Sequence, residues 1–313
     1  MKVVVSGANG FVGRAVVNYF LANTDNEVMG LQRRDEDLGF FASVVPSLSD
    51  EALLVRLLIG QDVVVHCAAA VHGRVTSSKF HHEVNVELSL SLARAAVRAG
   101  CRRFVFVSSI GVNGSHTLDC PFRETDPPQP NGPYAVSKWA AEQELMVLAA
   151  QTGLELVVVR PPLVYGWDAP GNFASLLRWI DRGWPLPLAT AIANRRSYVG
   201  ISNLASFLVL CAVHPLAAGE IFLVSDDEAI STAELVRNVA VAVGRRPRLW
   251  PVPLPWLQFL TRLVGRHEVA HRLFGNLEVD ASKARTVLGW QPIVSMSNQL
   301  KPLITKSDDV KSI

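Results

Sequence analysis

The chain has 313 residues, of which 49% are hydrophobic and 19% are charged, with a formal net charge of +2 at neutral pH. This composition is typical of a well-packed α/β enzyme and excludes an intrinsically disordered chain. Lysines and arginines are scattered along the sequence, so a nucleic-acid partner is not expected. The length exceeds what one hydrophobic core usually holds, and we predict one large domain with a smaller lobe.

Membrane and metal sites are not expected either. No apolar run reaches the ~18 residues that a membrane helix needs, and the start "MKVVVSGANG" breaks into glycine too early for a signal peptide. The apolar stretch 251–265 fits a lid or core helix of the small lobe, or a peripheral membrane contact. We therefore expect a cytoplasmic protein with structural thiols and no metal, because its cysteines lie far apart without a CxxC pair, at Cys67, Cys101, Cys120 and Cys211.

The first half alternates short Val-rich runs with longer helix-like stretches. Strands are predicted at 2–6, 27–32, 62–68, 103–109 and 155–161, and helices at 10–21, 50–58, 81–99 and 134–151. Continuous apolar strands separated by helices indicate a parallel sheet that is covered on both faces, as in a Rossmann-type doubly wound fold. Such sheets bind ligands beyond the carboxyl ends of their strands.

The second half is richer in proline and tryptophan. Strand and helix signals resume near 196–212 and 220–224, and helical stretches follow near 232–243, 255–264 and 280–288. We predict a Rossmann domain over residues 1–165, to which segments near 196–224 return. Residues 166–195 and 225–306 would form a smaller, discontinuous C-terminal substrate lobe, followed by a flexible tail at 307–313.

A glycine-rich turn follows the first predicted strand. In "SGANGFVGRA", Gly7, Gly10 and Gly13 have the spacing G-x-x-G-x-x-G. Gly7 would permit the tight turn, Gly10 the close approach of backbone to a pyrophosphate, and Gly13 close packing of helix on strand. The position at a helix N-terminus favours a dinucleotide site over a structural turn, and the cofactor contacts would also include Asn9, Phe11 and Val12.

A possible catalytic pair lies in "PYAVSKWAAE", where Tyr134 and Lys138 are four residues apart on one helix face. The ammonium and a nearby cationic nicotinamide could together lower the pKa of the phenol from about 10 by the ~3 units that acid–base work near neutral pH requires. Upstream, "FVFVSSIG" ends a strand with Ser108 and Ser109, at the sheet edge where ligands bind. A serine there can hydrogen-bond a carbonyl or hydroxyl that undergoes hydride transfer while the tyrosine moves the proton.

These motifs, in this order, resemble the extended short-chain dehydrogenases/reductases, and in particular the NAD-dependent epimerase/dehydratase group that acts on nucleotide sugars. The resemblance extends from "VSGANGFVG" to "ASKARTVLGW" (281–290). It implies an NAD(P) cofactor and a catalytic triad of Ser109 (rather than Ser108), Tyr134 and Lys138. It also implies that Asn85 has either a structural or a catalytic hydrogen bond, and it adds to the cofactor site Ala68, Ala69 and Pro161.

The same resemblance implies a UDP-sugar site in the second half. "GNF" (171–173) is similar to the segment that holds the nucleotide phosphates, with Asn172 as the contact. In "NRRSYVGISNL" (194–204), Arg196 corresponds to the arginine that binds the diphosphate, and Arg272 is a further candidate. Taken without the family, Arg195 and Arg196 would be a solvated pair.

Two positions depart from the family pattern. In "EVMGLQRRDE", Gln32 stands where NAD-specific members carry the acid that binds the ribose 2′-hydroxyl, and Arg33 and Arg34 follow. Two cations there would accommodate the 2′-phosphate of NADP, although a basic surface turn balanced by the following acids is the alternative. The adenine contact is left open, because Ser47 stands in place of the family's aspartate and Asp50 comes later.

The resemblance allows more than one reaction. Asn113 in "SSIGVNG" stands where the galactose epimerases have a tyrosine, and the sequence looks closest to the O-antigen-cluster branch that includes the UDP-N-acetylquinovosamine dehydrogenases. We hypothesise NAD(P)H-dependent reduction at C4 of a UDP-4-keto-6-deoxy-N-acetylhexosamine, with NADPH favoured. The alternative is a UDP-hexose 4-epimerase, and a more remote one is a non-catalytic NAD(P)-binding regulator. A homodimer through two helices of the main domain would be typical of the family.

Overall fold

The computed structural model describes residues 1–33, 36–45, 48–70, 77–226, 228–253, 256 and 274–301. Its strands are β1 Lys2–Ser6, β2 Glu27–Gln32, β3 Ala42–Val44, β4 Val63–His66, β5 Arg103–Val107, β6 Glu155–Arg160, β7 Leu163–Tyr165, β8 Tyr198–Gly200 and β9 Ile221–Leu223. Within these residues, seven strands form a parallel sheet in the order β3-β2-β1-β4-β5-β6-β9. The order reverses between β1 and β4, which is where a doubly wound sheet opens a ligand crevice.

The helices are α1 Phe11–Asn23, α2 Glu51–Leu58, α3 Ser78–His82, α4 Leu88–Ala99, α5 Pro133–Thr152, α6 Asn172–Asp181, α7 Ile201–Val213, α8 Thr232–Ala242, α9 Ser282–Leu288 and α10 Met296–Leu300. A π turn, Glu83–Glu87, joins α3 to α4, and short 3₁₀ turns cover Ile110–Val112 and Pro215–Ala217. In the part of the chain that the structure describes, every helix is too short or too polar to cross a membrane.

The inner positions of the central strands are apolar because both faces of the sheet are covered. Val3 and Val5 of β1 pack in one core cluster with side chains of α1 and α7. Val4 points to the opposite face, into a second cluster with side chains of α2, α4 and α5. Successive strand residues alternate between the two faces, so a strand buried on both sides needs no polar positions. The predicted Rossmann-type fold class is confirmed.

A smaller cluster lies apart from the main sheet. β7 and β8 form a separate parallel pair, and a third apolar cluster brings together side chains of α6, α8, β8 and the segment 186–191. Helix α7 packs on α1 and β9 lies beside β6, so parts of the second half contribute to the main sheet layer. The predicted domain limits stay a prediction, and the tail at 307–313 lies outside the described residues, as does nearly all of 251–265 beyond Pro253.

The short elements differ from the sequence-based prediction. Strands β3 and β7, each three residues long, were not predicted, because three residues carry too little periodicity to be distinguished from a loop. The single helix predicted over 81–99 is divided by the π turn at Glu83–Glu87. The π turn contains Asn85, whose side chain is buried, and π turns inside helices are often found at functional sites.

Candidate active site

The turn after β1 requires glycine at two positions. Gly7 has a φ of 72°, and a Cβ atom there would lie 2.8 Å from the Cα atom of Ala68 at the end of β4. A Cβ atom on Gly13 would lie 2.2 Å from the carbonyl oxygen of Gly7. Any other residue would push the turn, α1 and the end of β4 apart. Both contacts agree with the roles that the glycine spacing predicts for Gly7 and Gly13.

The N-terminus of α1 can receive an anion. Gly10 caps it without a side-chain hydrogen bond, and the first turn contains no acidic residue. Its backbone N–H groups and helix dipole therefore attract negative charge, so this turn fits the pyrophosphate of a dinucleotide. Asn9 is exposed beside it, while Phe11 and Val12 are half-buried.

The end of β2 offers two different polar groups. The side chain of Gln32 is buried, and its amide nitrogen donates to the carbonyl oxygen of Glu36 at 3.1 Å. Its amide oxygen is also buried and has no hydrogen-bond partner in the described structure. Arg33 is exposed, whereas Arg34 and Ser47 lie outside the described residues. Asp50 caps α2, where its carboxylate accepts a hydrogen bond from the N–H of Leu53 at 3.0 Å.

Ser109 and Tyr134 lie together beyond the end of β5. Both are half-buried, and the Ser109 hydroxyl hydrogen-bonds the Tyr134 side chain and accepts from the N–H of Gly111 at 3.1 Å. Burial raises the pKa of Tyr134 to about 12, which the bond to Ser109 only partly opposes. In the free enzyme the pKa of Tyr134 is therefore raised and not lowered, because loss of solvation outweighs the hydrogen bond to Ser109. At neutral pH the tyrosine holds its proton.

Lys138 follows Tyr134 by one turn of α5 and is almost completely buried. Its ammonium donates to the carbonyl oxygen of Val107 at 2.7 Å and lies 4.3 Å from the ring centroid of Phe106. Burial lowers the pKa of Lys138 to about 8, and the Glu142 carboxylate acts in the opposite direction. The lysine thus remains mainly cationic at neutral pH, but a small further decrease in its pKa would neutralise it.

A buried ion pair between Glu142 and Arg160 acts on this lysine, because the Glu142 carboxylate raises the pKa of Lys138. The Arg160 side chain lies 2.6 Å from the Glu142 carboxylate, and both residues are almost inaccessible to solvent. Ser108 donates to the same carboxylate. Arg160 also donates to the side-chain oxygen of Asn113 at 2.9 Å. The structure therefore separates the two serines, with Ser108 in the buried network and Ser109 beside Tyr134.

Glu142 and Arg160 do not stand out in the sequence as residues of the site. The available signals were an acid one helical turn after Lys138, on the same face of α5, and an arginine that ends an otherwise apolar strand. Neither signal indicates a partner, because the two residues are 18 positions apart and meet only through the packing of α5 on β6.

Asn85 connects the end of β4 to α5. Its side-chain oxygen accepts from the N–H of Ala70 at 2.8 Å, and its nitrogen donates to the Ala70 carbonyl at 3.1 Å and to the Ser137 hydroxyl at 2.9 Å. These bonds describe a structural role. His81, also missed, contacts the same carbonyl through Nδ1 at 3.1 Å, and its ring centroid is 6.1 Å from that of Tyr134.

The remaining cofactor candidates lie at neighbouring strand ends. Ala68 and Ala69 are half-buried immediately after β4. Pro161 is buried after β6, and its carbonyl oxygen accepts a hydrogen bond from the N–H of Ile110 at 2.9 Å. This bond fixes the backbone next to Ser109. Within the described ranges, no group of three or more His, Cys, Asp or Glu side chains could hold a metal ion.

The predicted substrate contacts lie on separate elements of the second half. α6 begins at Asn172, after Gly171 with a φ of 71°, and its first turn has no side-chain cap and no acidic residue. Arg196 is half-buried, donates to the carbonyl oxygen of Gly275 at 2.9 Å and hydrogen-bonds Tyr198. It is therefore not a solvated residue, whereas Arg195 is exposed. Arg272 lies outside the described residues.

Known proteins agree with this architecture. The UDP-glucose 4-epimerase of Vibrio cholerae is 37% identical over 311 residues, which cover 96% of this chain and 93% of that protein. The N-acetyl-alpha-D-glucosaminyl-diphospho-ditrans,octacis-undecaprenol 4-epimerase of Escherichia coli is 26% identical over 258 residues, 81% of this chain and 76% of that protein. The structure of Thermus thermophilus UDP-glucose 4-epimerase in complex with NAD is similar with a TM-score of 0.79 and 25% identity, covering 98% and 99% of the two chains.

Residues 3–225 match the model of the NAD dependent epimerase/dehydratase family. The match includes the glycine turn at the N-terminus of α1, the strand that precedes Ser109 and the helix that carries Tyr134 and Lys138. The chain belongs to the NAD dependent epimerase/dehydratase family, whose members are enzymes.

Proposed function

We propose that this enzyme transfers a hydride at C4 of a hexose linked to UDP. The observation that carries the proposal is the hydrogen-bonded pair of Ser109 and Tyr134, half-buried beyond β5. The dinucleotide site at the N-terminus of α1 lies at the same carboxyl edge of the sheet. A proton-transfer group and a hydride carrier at one edge are the minimum for alcohol–carbonyl interconversion.

Each residue of the triad has a defined task. A bound NAD(P) supplies the hydride when C4 is reduced and accepts it when C4 is oxidised. Tyr134 gives its phenolic proton to the C4 oxygen in reduction, and Ser109 hydrogen-bonds that oxygen and orients it. The buried ammonium of Lys138 stabilises the phenolate that remains, because opposite charges interact strongly away from water.

Reduction of a UDP-4-keto-6-deoxy-N-acetylhexosamine, for surface-polysaccharide synthesis, is the direction that we propose first. Burial raises the pKa of Tyr134 to about 12, so the free enzyme presents a proton donor at neutral pH. Asn113, at the position of the galactose epimerases' tyrosine, is buried and engaged with Arg160 and the carbonyl of Arg123. The Asn113 side chain is thus held by hydrogen bonds within the protein and contributes to the structure around the site.

A UDP-hexose 4-epimerase is the second candidate, and it is favoured by the names of the relatives. The Vibrio cholerae protein, at 37% identity over 96% of this chain, is a UDP-glucose 4-epimerase. An epimerase would use the same triad in both directions and return the hydride to the other face of C4. The regulator hypothesis is weakest, because Tyr134 and Lys138 are both present.

The pocket is proposed to accept both NADH and NADPH, with NADPH favoured. The free amide oxygen of Gln32 suits a ribose 2′-hydroxyl, which can donate to it. The exposed guanidinium of Arg33 suits a 2′-phosphate instead. Gln32→Ala should therefore weaken NADH use more than NADPH use, and Arg33→Ala should do the reverse. Steady-state kcat/KM with each cofactor measures the ratio; equal effects of either variant on both cofactors would contradict this assignment.

The UDP diphosphate is proposed to lie at the N-terminus of α6, between Asn172 and Arg196. The uncapped helix start attracts an anion and the arginine is held in place by the Gly275 carbonyl.

We further propose that the enzyme acts in the cytoplasm, where nucleotide sugars are made, and that it forms a homodimer. The face of α3 and α5 near Lys79 and Val136 offers an open groove of about 620 Å³ for such a contact.

Two incubations separate the two reactions. The enzyme is mixed with a UDP-4-keto-6-deoxy-N-acetylhexosamine and NADPH or NADH, and absorbance of the reduced cofactor is followed. Stoichiometric loss supports the reductase. No loss, together with conversion of UDP-GlcNAc to UDP-GalNAc without added cofactor consumption, supports the epimerase.

Tyr134→Phe tests the shared chemistry of both reactions. Removal of the acid–base hydroxyl should reduce turnover by roughly 10²–10⁴-fold. Cofactor affinity, measured by fluorescence titration with NADH, should change little, because the phenyl ring still fills the same space. Full turnover in this variant would contradict the proposed mechanism.

A further inference from the structure

Exposed tryptophans are concentrated in one region of the second half. Of the seven tryptophans, Trp179, Trp184, Trp250 and Trp256 have exposed fractions of 42%, 48%, 62% and 66%. The other three, Trp139, Trp167 and Trp290, are half-buried or buried. Single exposed hydrophobic side chains are normal on protein surfaces, whereas a group of them close together indicates an interaction surface.

Two segments, 178–184 and 245–250, bring three of these tryptophans to one surface, which we term the Trp–Arg face. Trp179 and Trp184 are in edge contact, with ring centroids 5.2 Å apart. The second segment lies alongside, because the Arg248 guanidinium donates to the Gly183 carbonyl at 3.0 Å. The N–H of Trp250 donates to the carbonyl of Leu186 at 2.9 Å. The two segments therefore lie side by side, although they are over 60 residues apart in sequence.

The Trp–Arg face is strongly basic. Its single acid, Asp181, is paired with Arg245 at 3.2 Å. Its exposed arginines are Arg178, Arg182, Arg245, Arg246 and Arg248. These five cations and one anion give +4, whereas the entire chain carries only +2. The expectation of scattered cations is thus corrected for this region, since folding concentrates charge that the sequence distributes.

Tryptophan and arginine together suit the surface of an anionic bilayer. Tryptophan rings lie at the level of lipid headgroups, where the apolar ring is buried and the N–H stays hydrated. Arginines bind lipid phosphates, and the Arg182 guanidinium already lies 5.3 Å from the ring centroid of Trp184. The sequence after Trp250, "PVPLPWLQFL", is also predominantly apolar. A nucleic-acid site would instead favour a longer basic stripe.

We propose that the Trp–Arg face docks this enzyme reversibly on anionic phospholipid bilayers. Attraction between the arginines and lipid phosphates brings the face to the membrane, and the tryptophans enter the headgroup layer. Because much of this attraction acts between exposed charges, binding weakens as salt concentration rises. The triad lies on other elements, at the ends of β5 and on α5, so docking leaves its chemistry unchanged.

Vesicle co-sedimentation tests the proposal with the full chain. Vesicles of phosphatidylglycerol and phosphatidylcholine should pellet the protein, and vesicles of phosphatidylcholine alone should leave it in the supernatant. Arg182→Gln with Arg246→Gln should reduce the partition coefficient roughly tenfold or more, since each cation near the surface contributes substantially. Trp184→Ser with Trp250→Ser should reduce it as well, because the apolar contact is lost.

The matched control removes two arginines elsewhere. Arg94→Gln with Arg98→Gln, on α4, causes the same change in net charge outside the face and should leave vesicle binding unchanged. Circular dichroism and turnover confirm that every variant is folded. An equal loss in the control, no pelleting with anionic vesicles, or binding to single-stranded nucleic acid without binding to vesicles would overturn the proposal. Turnover is read separately, so these outcomes do not depend on the proposed reaction.

Discussion

Two carboxylate–arginine pairs, one in each half of this enzyme, differ in how far their charges are exposed to water. In the Rossmann half, the side chains of Glu142 and Arg160 lie 2.6 Å apart and are 0% and 2% exposed. In the second half, the side chains of Asp181 and Arg245 lie 3.2 Å apart and are 62% and 40% exposed. The buried pair depends on its partner because neither charge can be solvated, whereas the exposed pair can exchange its partner for water or an external anion.

The buried pair fixes the position of structural elements, whereas the exposed pair belongs to a surface whose charges stay accessible. The buried pair connects α5, which carries Tyr134 and Lys138, to the end of β6 and to the loop at Asn113. It thereby holds the catalytic helix against the sheet. The exposed pair is part of the Trp–Arg face, whose four further arginines are also exposed to solvent.

Glu142→Gln should cause the largest change in stability. Without the carboxylate, the Arg160 charge remains buried without a counter-charge, which costs about 3–5 kcal/mol. Urea unfolding followed by circular dichroism measures the free energy of unfolding. Glu144→Gln, at an exposed position of the same helix, is the control and should change that energy by about 0.5 kcal/mol or less. Similar small losses in both variants would show that the burial of the pair is unimportant.

Glu142→Gln should also change the pH dependence of reduction. The rate falls as pH rises through the pKa of Lys138, about 8, because the ammonium that stabilises the phenolate is lost. The Glu142 carboxylate raises that pKa, so its removal lowers the pKa and moves the alkaline fall in kcat to lower pH. The profile is recorded at a temperature where the variant remains folded. An unchanged alkaline limb would mean that Glu142 acts on stability alone.

Asp181→Asn should have the smallest effect. An exposed ion pair contributes about 0.2–1 kcal/mol to the free energy of unfolding, so the loss should stay within that range. Vesicle binding should strengthen, because removal of the acid raises the positive charge of the Trp–Arg face. Thermal unfolding and co-sedimentation measure the two quantities. A loss of several kcal/mol would remove the contrast between the two pairs.

The main strands and the glycine turn of the enzyme could be predicted from its residues. β2 was predicted at 27–32 and is Glu27–Gln32, and β6 differs from its prediction by one residue. Such strands are recognisable because burial on both faces makes their inner positions apolar. The glycine spacing likewise predicted the turn at Gly7 and Gly13, since steric exclusion there depends on the residue type alone. The family, and with it the candidate triad, followed from motifs of ten residues or fewer.

The partners and the burial of the charged groups depend on the three-dimensional packing and could not be predicted from the motifs. Glu142 and Arg160 meet through the packing of a helix on a strand, and the free oxygen of Gln32 depends on the bond of its amide nitrogen to Glu36. The pKa of Tyr134 rises because the fold removes water from the phenol, an effect that the spacing to Lys138 could not reveal. The Trp–Arg face joins segments that are distant in sequence. Burial and charge interactions depend on distance in space, whereas sequence motifs record only neighbours along the chain.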